Sequence, residues 1–147
     1  MGLILQVFGA YVVTVTSGII FETPKHLVLQ SGFIGALGYL VYLLSLHYTG
    51  SAVATLLSGM IIALLSHIAA RLLKSPVTIF YIPSIFPLVP GVGIYKIAYY
   101  YILGNTNLAG KNFVESISIA GAIALSIFFV DSFLEVYNTV KIKFKKI

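Results

Sequence analysis

Residues 2–21 read GLILQVFGAYVVTVTSGIIF, twenty positions without a charged side chain. At a helical rise of about 1.5 Å per residue, such a run covers the ~30 Å hydrocarbon core of a bilayer. It has neither a basic start nor a small-residue cleavage site, so it is expected to stay in the chain as a helix rather than be removed as a signal peptide. The whole chain has the same character: of its 147 residues, 59% are hydrophobic and 9% charged, and mean hydropathy is +1.03. Soluble domains carry about 25% charged residues, and no water-soluble fold of this size hides so much apolar surface. The reading is an all-α integral membrane protein with about five transmembrane helices, forming a single domain over residues 1–147.

Outward from this first span, the polar break at residues 22–26 contains Pro24, which cannot continue a helical ladder. A second span is expected over about 27–48. Gly32, Gly35, Ala36 and Gly38 place small residues near one of its faces, where a neighbouring helix can approach closely. The uncharged turn Thr49, Gly50, Ser51 leads to a third span over about 52–72, closed by Arg71, Lys74, Ser75 and Pro76. A fifth span is expected over about 113–136, after a polar loop at 104–112.

The fourth span, about 77–103, departs from this plain pattern. Residues 82–95 read IPSIFPLVPGVGIY, with Pro83, Pro87 and Pro90 followed by Gly91 and Gly93. Each proline removes a backbone donor and frees the carbonyl it would have bonded, so a continuous helix from Pro83 to Gly91 is not expected. Unwound backbone at membrane depth survives only when buried in protein or lining a watery cavity. Transporters use such discontinuous helices to present carbonyls to cations and amide N–H groups to anions. A helix starting after Pro90 and Gly91 would turn its N-terminus towards a carboxylate. Lys96 follows about 9 Å further on if that half is helical, either as a counter-charge or snorkelling to the interface beside the aromatic run Tyr99, Tyr100, Tyr101. The expected substrate-binding residues are therefore Pro83, Pro87, Pro90, Gly91, Gly93, Tyr95 and Lys96.

Few other residues carry chemistry. His67 lies one turn before Arg71. Asp131 and Glu135 share a helix face at i and i+4, where like charges repel, and Glu115 sits near the start of the last span. These four, His67, Asp131, Glu135 and Glu115, are the candidates for proton coupling, each weighed against a plain interfacial role.

Charge flanks suggest a topology. Lys25, Arg71, Lys74 and the tail lysines Lys141, Lys143, Lys145 and Lys146 fall on one side of five crossings, against Lys111 and Lys96 opposite. The positive-inside rule then predicts a multi-pass protein of the cell (inner or plasma) membrane, N-terminus outside and C-terminus cytoplasmic. Were the proline-rich segment a re-entrant loop, this bias would break down.

The net charge of +5 is not read as a nucleic-acid signal, because the lysines cluster beside a hydrophobic segment and no binding motif surrounds them. There is no cysteine, and His26, His47 and His67 lack metal-ligand spacing. No metal or cofactor is expected. An intramembrane enzyme is not expected either: there is no Gly-x-Ser-x-Gly and no His-Glu-x-x-His, and nucleophile and base candidates are scattered.

The spacing Pro76, Phe80, Ile82, Pro83, Pro87, Pro90, Gly91, Gly93 and Tyr95, with the upstream GIIFETP from Gly18 to Pro24 and the glycine-rich second span, resembles the threonine/serine exporter family. The likeness is strongest to its short, YjjB-like component, which corresponds to the C-terminal membrane half of longer single-chain exporters. It extends over most of the chain and is most specific from Pro83 to Tyr95. The resemblance implies a two-component secondary exporter in which this chain pairs with a larger membrane subunit carrying a soluble domain. The implied solutes are threonine and serine, or succinate in the split form, driven by the proton gradient. The residues add a break suited to a small carboxylate-bearing solute. An odd helix count cannot divide into equal repeats, and transporter sites commonly form between two halves, so a hetero- or homo-oligomer is expected. A non-transporting scaffold subunit that stabilises a larger partner is the alternative reading.

Overall fold

The reason for each helix is lipid: where no water competes, every backbone N–H and C=O must find a partner within the chain, and an α-helix supplies it locally. The computed structural model describes the backbone of residues 2–145 and the side chains as far as Tyr137. Along that length the helices are α1 (Gly2–Ile20), α2 (Lys25–Leu46), α3 (Ser51–Leu73), α4 (Thr78–Ile85), α5 (Gly91–Ile102) and α6 (Thr106–Lys145), with a 3₁₀ turn at Phe86–Leu88. α1, α2, α3 and α6 are each long and apolar enough to cross a bilayer. The segments Thr78–Leu88 and Gly91–Ile102 meet that test only together, bent by 44°.

Contacts between α3 and α6 decide how the bent pair runs. Ser51 Oγ, at the start of α3, donates to Glu115 Oε1 at 3.1 Å. Near the other end of α3, His67 Nε2 lies 2.6 Å from Asp131 Oδ1. Both pairs are separated by 64 positions in the chain, so α3 and α6 advance in step and are parallel. Two parallel spans joined through α4 and α5 need one return crossing between them. The bent pair is therefore a broken span, and the chain crosses five times; a re-entrant loop would have made α6 antiparallel to α3.

Packing is by small and hydroxylated side chains. On α2, a Cβ at Gly35 would collide with Thr14 of α1, and one at Gly38 with Ile62 of α3. Gly59 of α3 meets Ser126 of α6 in the same way. Those at Gly35 and Gly38 are the close helix approaches anticipated from the glycines of the second span. Ser58 Oγ donates to Gly38 O at 2.6 Å, tying α2 to α3. The larger apolar side chains gather where α4 lies against α2 and α3, around Leu27, Ile34, Ile62, Phe80 and Leu88. Outside this centre, long apolar side chains such as Ile4, Leu5, Phe8 and Ile20 face outward, as a lipid environment permits.

Two boundaries differ from expectation. α2 begins at Lys25 because Pro24 occupies its N-cap position with extended backbone, φ −51° and ψ 131°, so the proline opens the second helix as much as it ends the first. The expected loop over 104–112 is mostly helix. Asn105 Oδ1 accepts the Leu108 N–H at 3.1 Å and Asn105 O accepts the Ala109 N–H at 3.1 Å. This cap starts α6 at Thr106 rather than near 113. At 40 residues, α6 is about 60 Å long and outruns any bilayer. The side chains of Lys141, Lys143 and Lys145, and Lys146 altogether, lie outside the described residues.

Candidate functional site

Prolines 83, 87 and 90 each orphan the carbonyl four residues earlier, and the fold answers all three. Ile79 O lies 3.4 Å from Ser31 Oγ of α2, which also approaches Leu27 O at 3.2 Å. Pro83 O accepts the Phe86 N–H, and Phe86 O accepts the Val89 N–H at 3.2 Å. The three carbonyls that the prolines leave unbonded are thus satisfied by protein. Pro83 itself stays inside α4, buried against Gly18 of α1, so the helix persists further than the proline count suggests and the chain turns only around Val89 and Pro90.

The amide side is open. Pro90, at φ −78° and ψ 53°, forms an inverse γ-turn in which the Gly91 N–H donates to Val89 O at 2.8 Å. α5 then begins, and Ile94 N–H is the first amide to bond back over a full turn, to Pro90 O at 3.0 Å. Among the described residues, the Val92 and Gly93 amides have no carbonyl partner. The break therefore presents donors and the positive end of a helix dipole to this side.

These amides open on a cavity of about 260 Å³ between α5 and α6. Its wall carries Pro90, Gly91, Gly93 and Lys96 from α5, and Asn112, Glu115 and Ser116 from α6. The helical rise puts Pro90 about half a membrane thickness from the end of α5 at Ile102, with Lys96 between. Lys96 and Glu115 share the cavity, and among the described residues no ion pair joins them. Glu115 instead accepts from Ser51. Asn112 Nδ2 donates to Leu108 O at 2.8 Å, leaving its Oδ1 as an acceptor. A cavity of this size with opposite charges on its two sides suits a small solute bearing both signs of charge.

Of the residues expected at a substrate site, Pro90, Gly91, Gly93 and Lys96 come together on one wall, and Glu115, expected as a proton-coupling group, joins them. Pro87 lies in the 3₁₀ turn, and Tyr95 is exposed on the flank of α5, stacked on Tyr99 with ring centroids 6.0 Å apart. Neither these two nor Pro83 lines the cavity. His67 and Asp131 form their own contact at the opposite end of α3 and α6, their side chains 22% and 43% exposed, near Tyr81 of α4. Glu135 follows one turn beyond Asp131. Asn112 and Ser116 were missed, because a polar residue on a long apolar helix signals nothing until its neighbour across the interface is known.

A five-crossing α-helical bundle with a broken span, whose free amides face a small polar cavity, defines a membrane protein of transporter build. The family model described as Threonine/Serine exporter, ThrE, matches residues 6–133, and the chain belongs to that family of exporters. No curated protein and no solved structure matches it.

Proposed function

We propose that this chain is the membrane subunit of a two-component secondary exporter for small carboxylate-bearing metabolites of the threonine and serine type. The observation that carries the reading is the shared cavity of Lys96, Glu115 and the free amides of Val92 and Gly93. The amides and Lys96 receive the α-carboxylate, and Glu115 receives the α-ammonium by exchanging its Ser51 hydroxyl for it. Succinate is the alternative solute. It brings two carboxylates and no cation, and Glu115 would repel the second, so the zwitterion is favoured. His67 and Asp131, with Glu135 beyond them, are the proposed route for the coupling proton. The orientation is N-terminus outside and C-terminus cytoplasmic, which puts Lys25, Arg71 and Lys74 on the inner face.

A larger subunit of the same family is the proposed partner. No residue of α5 is buried, so one side of the transport cavity is walled by a helix that packs chiefly on α6. A second protein surface there would close the cavity from lipid, and a second copy of this chain is the competing candidate. In the scaffold reading, the chain stabilises its partner and the cavity is incidental.

Efflux of preloaded labelled threonine, serine and succinate is measured from cells lacking their own exporters, with this chain alone or beside the larger subunit. Threonine and serine efflux by the pair is expected. Lys96→Ala weakens apparent affinity about 10- to 100-fold, the worth of a charge-assisted hydrogen bond. Glu115→Gln lowers amino-acid flux and spares or raises that of succinate. Unchanged efflux in both variants removes the cavity from the mechanism and moves the chain to the scaffold reading.

A further inference from the structure

Most buried hydroxyls in these spans turn back on a carbonyl of their own helix. Thr14 donates to Ala10 O at 2.8 Å, Thr55 to Ser51 O at 2.7 Å, and Ser126 to Ile123 O at 2.7 Å. On the same helix as the cavity wall, even the exposed Ser118 donates to Val114 O at 2.8 Å. Ser66 and Ser116 do not follow the pattern, and of the two it is Ser116 that lines the cavity. Ser116 is 6% exposed, and its Oγ is sealed from solvent with no hydrogen-bond partner. That Oγ points across the interface at the first turn of α5, where any Cβ on Gly93 would run into it. An unpaired hydroxyl at such a place costs free energy that a turn to its own helix would recover.

We propose that Ser116 reads the side-chain hydroxyl of the transported solute; this rests on the assignment of the cavity as an amino-acid site. With the carboxylate at Lys96 and the α5 amides and the ammonium at Glu115, the side chain of an L-amino acid is left facing the remaining wall. Asn112 has already committed its Nδ2 donor to Leu108 O, whereas the Ser116 hydroxyl has its full capacity to donate and accept. Beside it, Val89 and Pro90 belong both to the polar cavity and to an apolar groove of about 630 Å³ along α5 and α6, and Ser116 lines the two as well. The wall therefore offers a hydroxyl and an apolar surface side by side, the pattern needed to tell a hydroxyl from a methyl on one carbon. Gly93 lets the hydroxyl stand against α5. Because α5 has no buried residue and follows the 3₁₀ turn through a single γ-turn, its first turn yields to a solute seated on the amides and uncovers the Ser116 Oγ.

The test uses the full chain in lipid nanodiscs, together with the larger subunit where it copurifies. Binding of labelled L-threonine is competed with L-threonine, L-serine, L-valine and L-2-aminobutyrate, the last two carrying a methyl in place of the hydroxyl. The wild-type protein is expected to prefer threonine over valine, and serine over 2-aminobutyrate, by at least about tenfold, since a site with a polar group for a substrate hydroxyl rejects the analogue lacking it. Ser116→Ala collapses both ratios to within about threefold by weakening the hydroxylated solutes while valine binding holds, and Ser116→Thr restores them. A Ser116→Ala protein that binds threonine with the wild-type ratios, whatever its thermal stability, overturns the assignment of Ser116 and leaves the amino-acid site standing. A wild-type protein that binds labelled succinate but none of the amino acids overturns the site assignment and this inference with it.

Discussion

At the scale of single residues, the fold shows where polar groups are tolerated and what each does. Ser31 is the clearest case: it is fully buried, and its hydroxyl reaches the carbonyl of Ile79 that Pro83 leaves unbonded. Ser31→Ala is expected to destabilise the bundle by about 0.5–2 kcal/mol, the range for an orphaned carbonyl set against the modest worth of side-chain hydrogen bonds in membranes. A lowered thermal midpoint in detergent checks this, and an unchanged midpoint would mean that water or lipid replaces the hydroxyl. Lys74 offers the opposite case. It caps α3 at φ 51°, a left-handed conformation that a side chain resists, while its N–H donates to Ala70 O. Lys74→Gly is expected to raise stability by up to about 1 kcal/mol, because glycine adopts that conformation without the steric penalty. A midpoint that falls would show that the lysine side chain contributes more than its backbone strain costs.

At the scale of elements, the broken span and the α3–α6 pair carry the architecture. The inverse γ-turn at Pro90 sets the 44° bend and leaves the Val92 and Gly93 amides open. Gly91→Leu should keep the protein in the membrane, since nothing lies within 4 Å of the added Cβ, yet narrow the cavity mouth. Loss of efflux at normal abundance is the expected outcome, and normal efflux would detach the break from transport. Gly59 differs, because its added side chain meets Ser126 of α6. Gly59→Leu overpacks that interface and costs about 1–3 kcal/mol or more, so its expected effect is on stability before flux. Comparing the two glycines by abundance and by efflux separates packing from function.

For the whole molecule, the decisive feature is that α3 and α6 are parallel. The natural absence of cysteine makes introduced pairs unambiguous. Ser51→Cys with Glu115→Cys, and His67→Cys with Asp131→Cys, are expected to crosslink under mild oxidation, and Ser51→Cys with Asp131→Cys is not. Crosslinking of the mixed pair alone would reverse the order of α3 and α6 and make the broken segment re-entrant. Single cysteines at Tyr48 and Gly104 should react with an impermeant thiol reagent from one side of the membrane, and those at Glu22 and Ser75 from the other. Reaction of Gly104 and Ser75 from the same side contradicts five crossings. Which pair reacts from outside intact cells tests the proposed orientation.

Lipid-spanning character and the position of the break were legible in the residues themselves. A charge-free run of membrane length has no other stable solvent, and a proline lacks its N–H in any fold, so residues 2–21 and Pro90 each constrain the structure locally. The resemblance carried by Pro83 to Tyr95 likewise needed only sequence. The start of α6 was readable in principle from Asn105, a good N-cap residue whose signal was masked by the polar neighbours around it. Other features were decided by tertiary structure alone. That Ser31 would answer the carbonyl freed by Pro83, that Glu115 would stand in the same cavity as Lys96, and that Ser116 would lose its intrahelical acceptor to face Gly93 all depend on the register between helices. That register follows from which small residues meet across each interface, a property of pairs distant in the chain. Sequence periodicity specifies the face of one helix and is silent about the depth at which its neighbour packs.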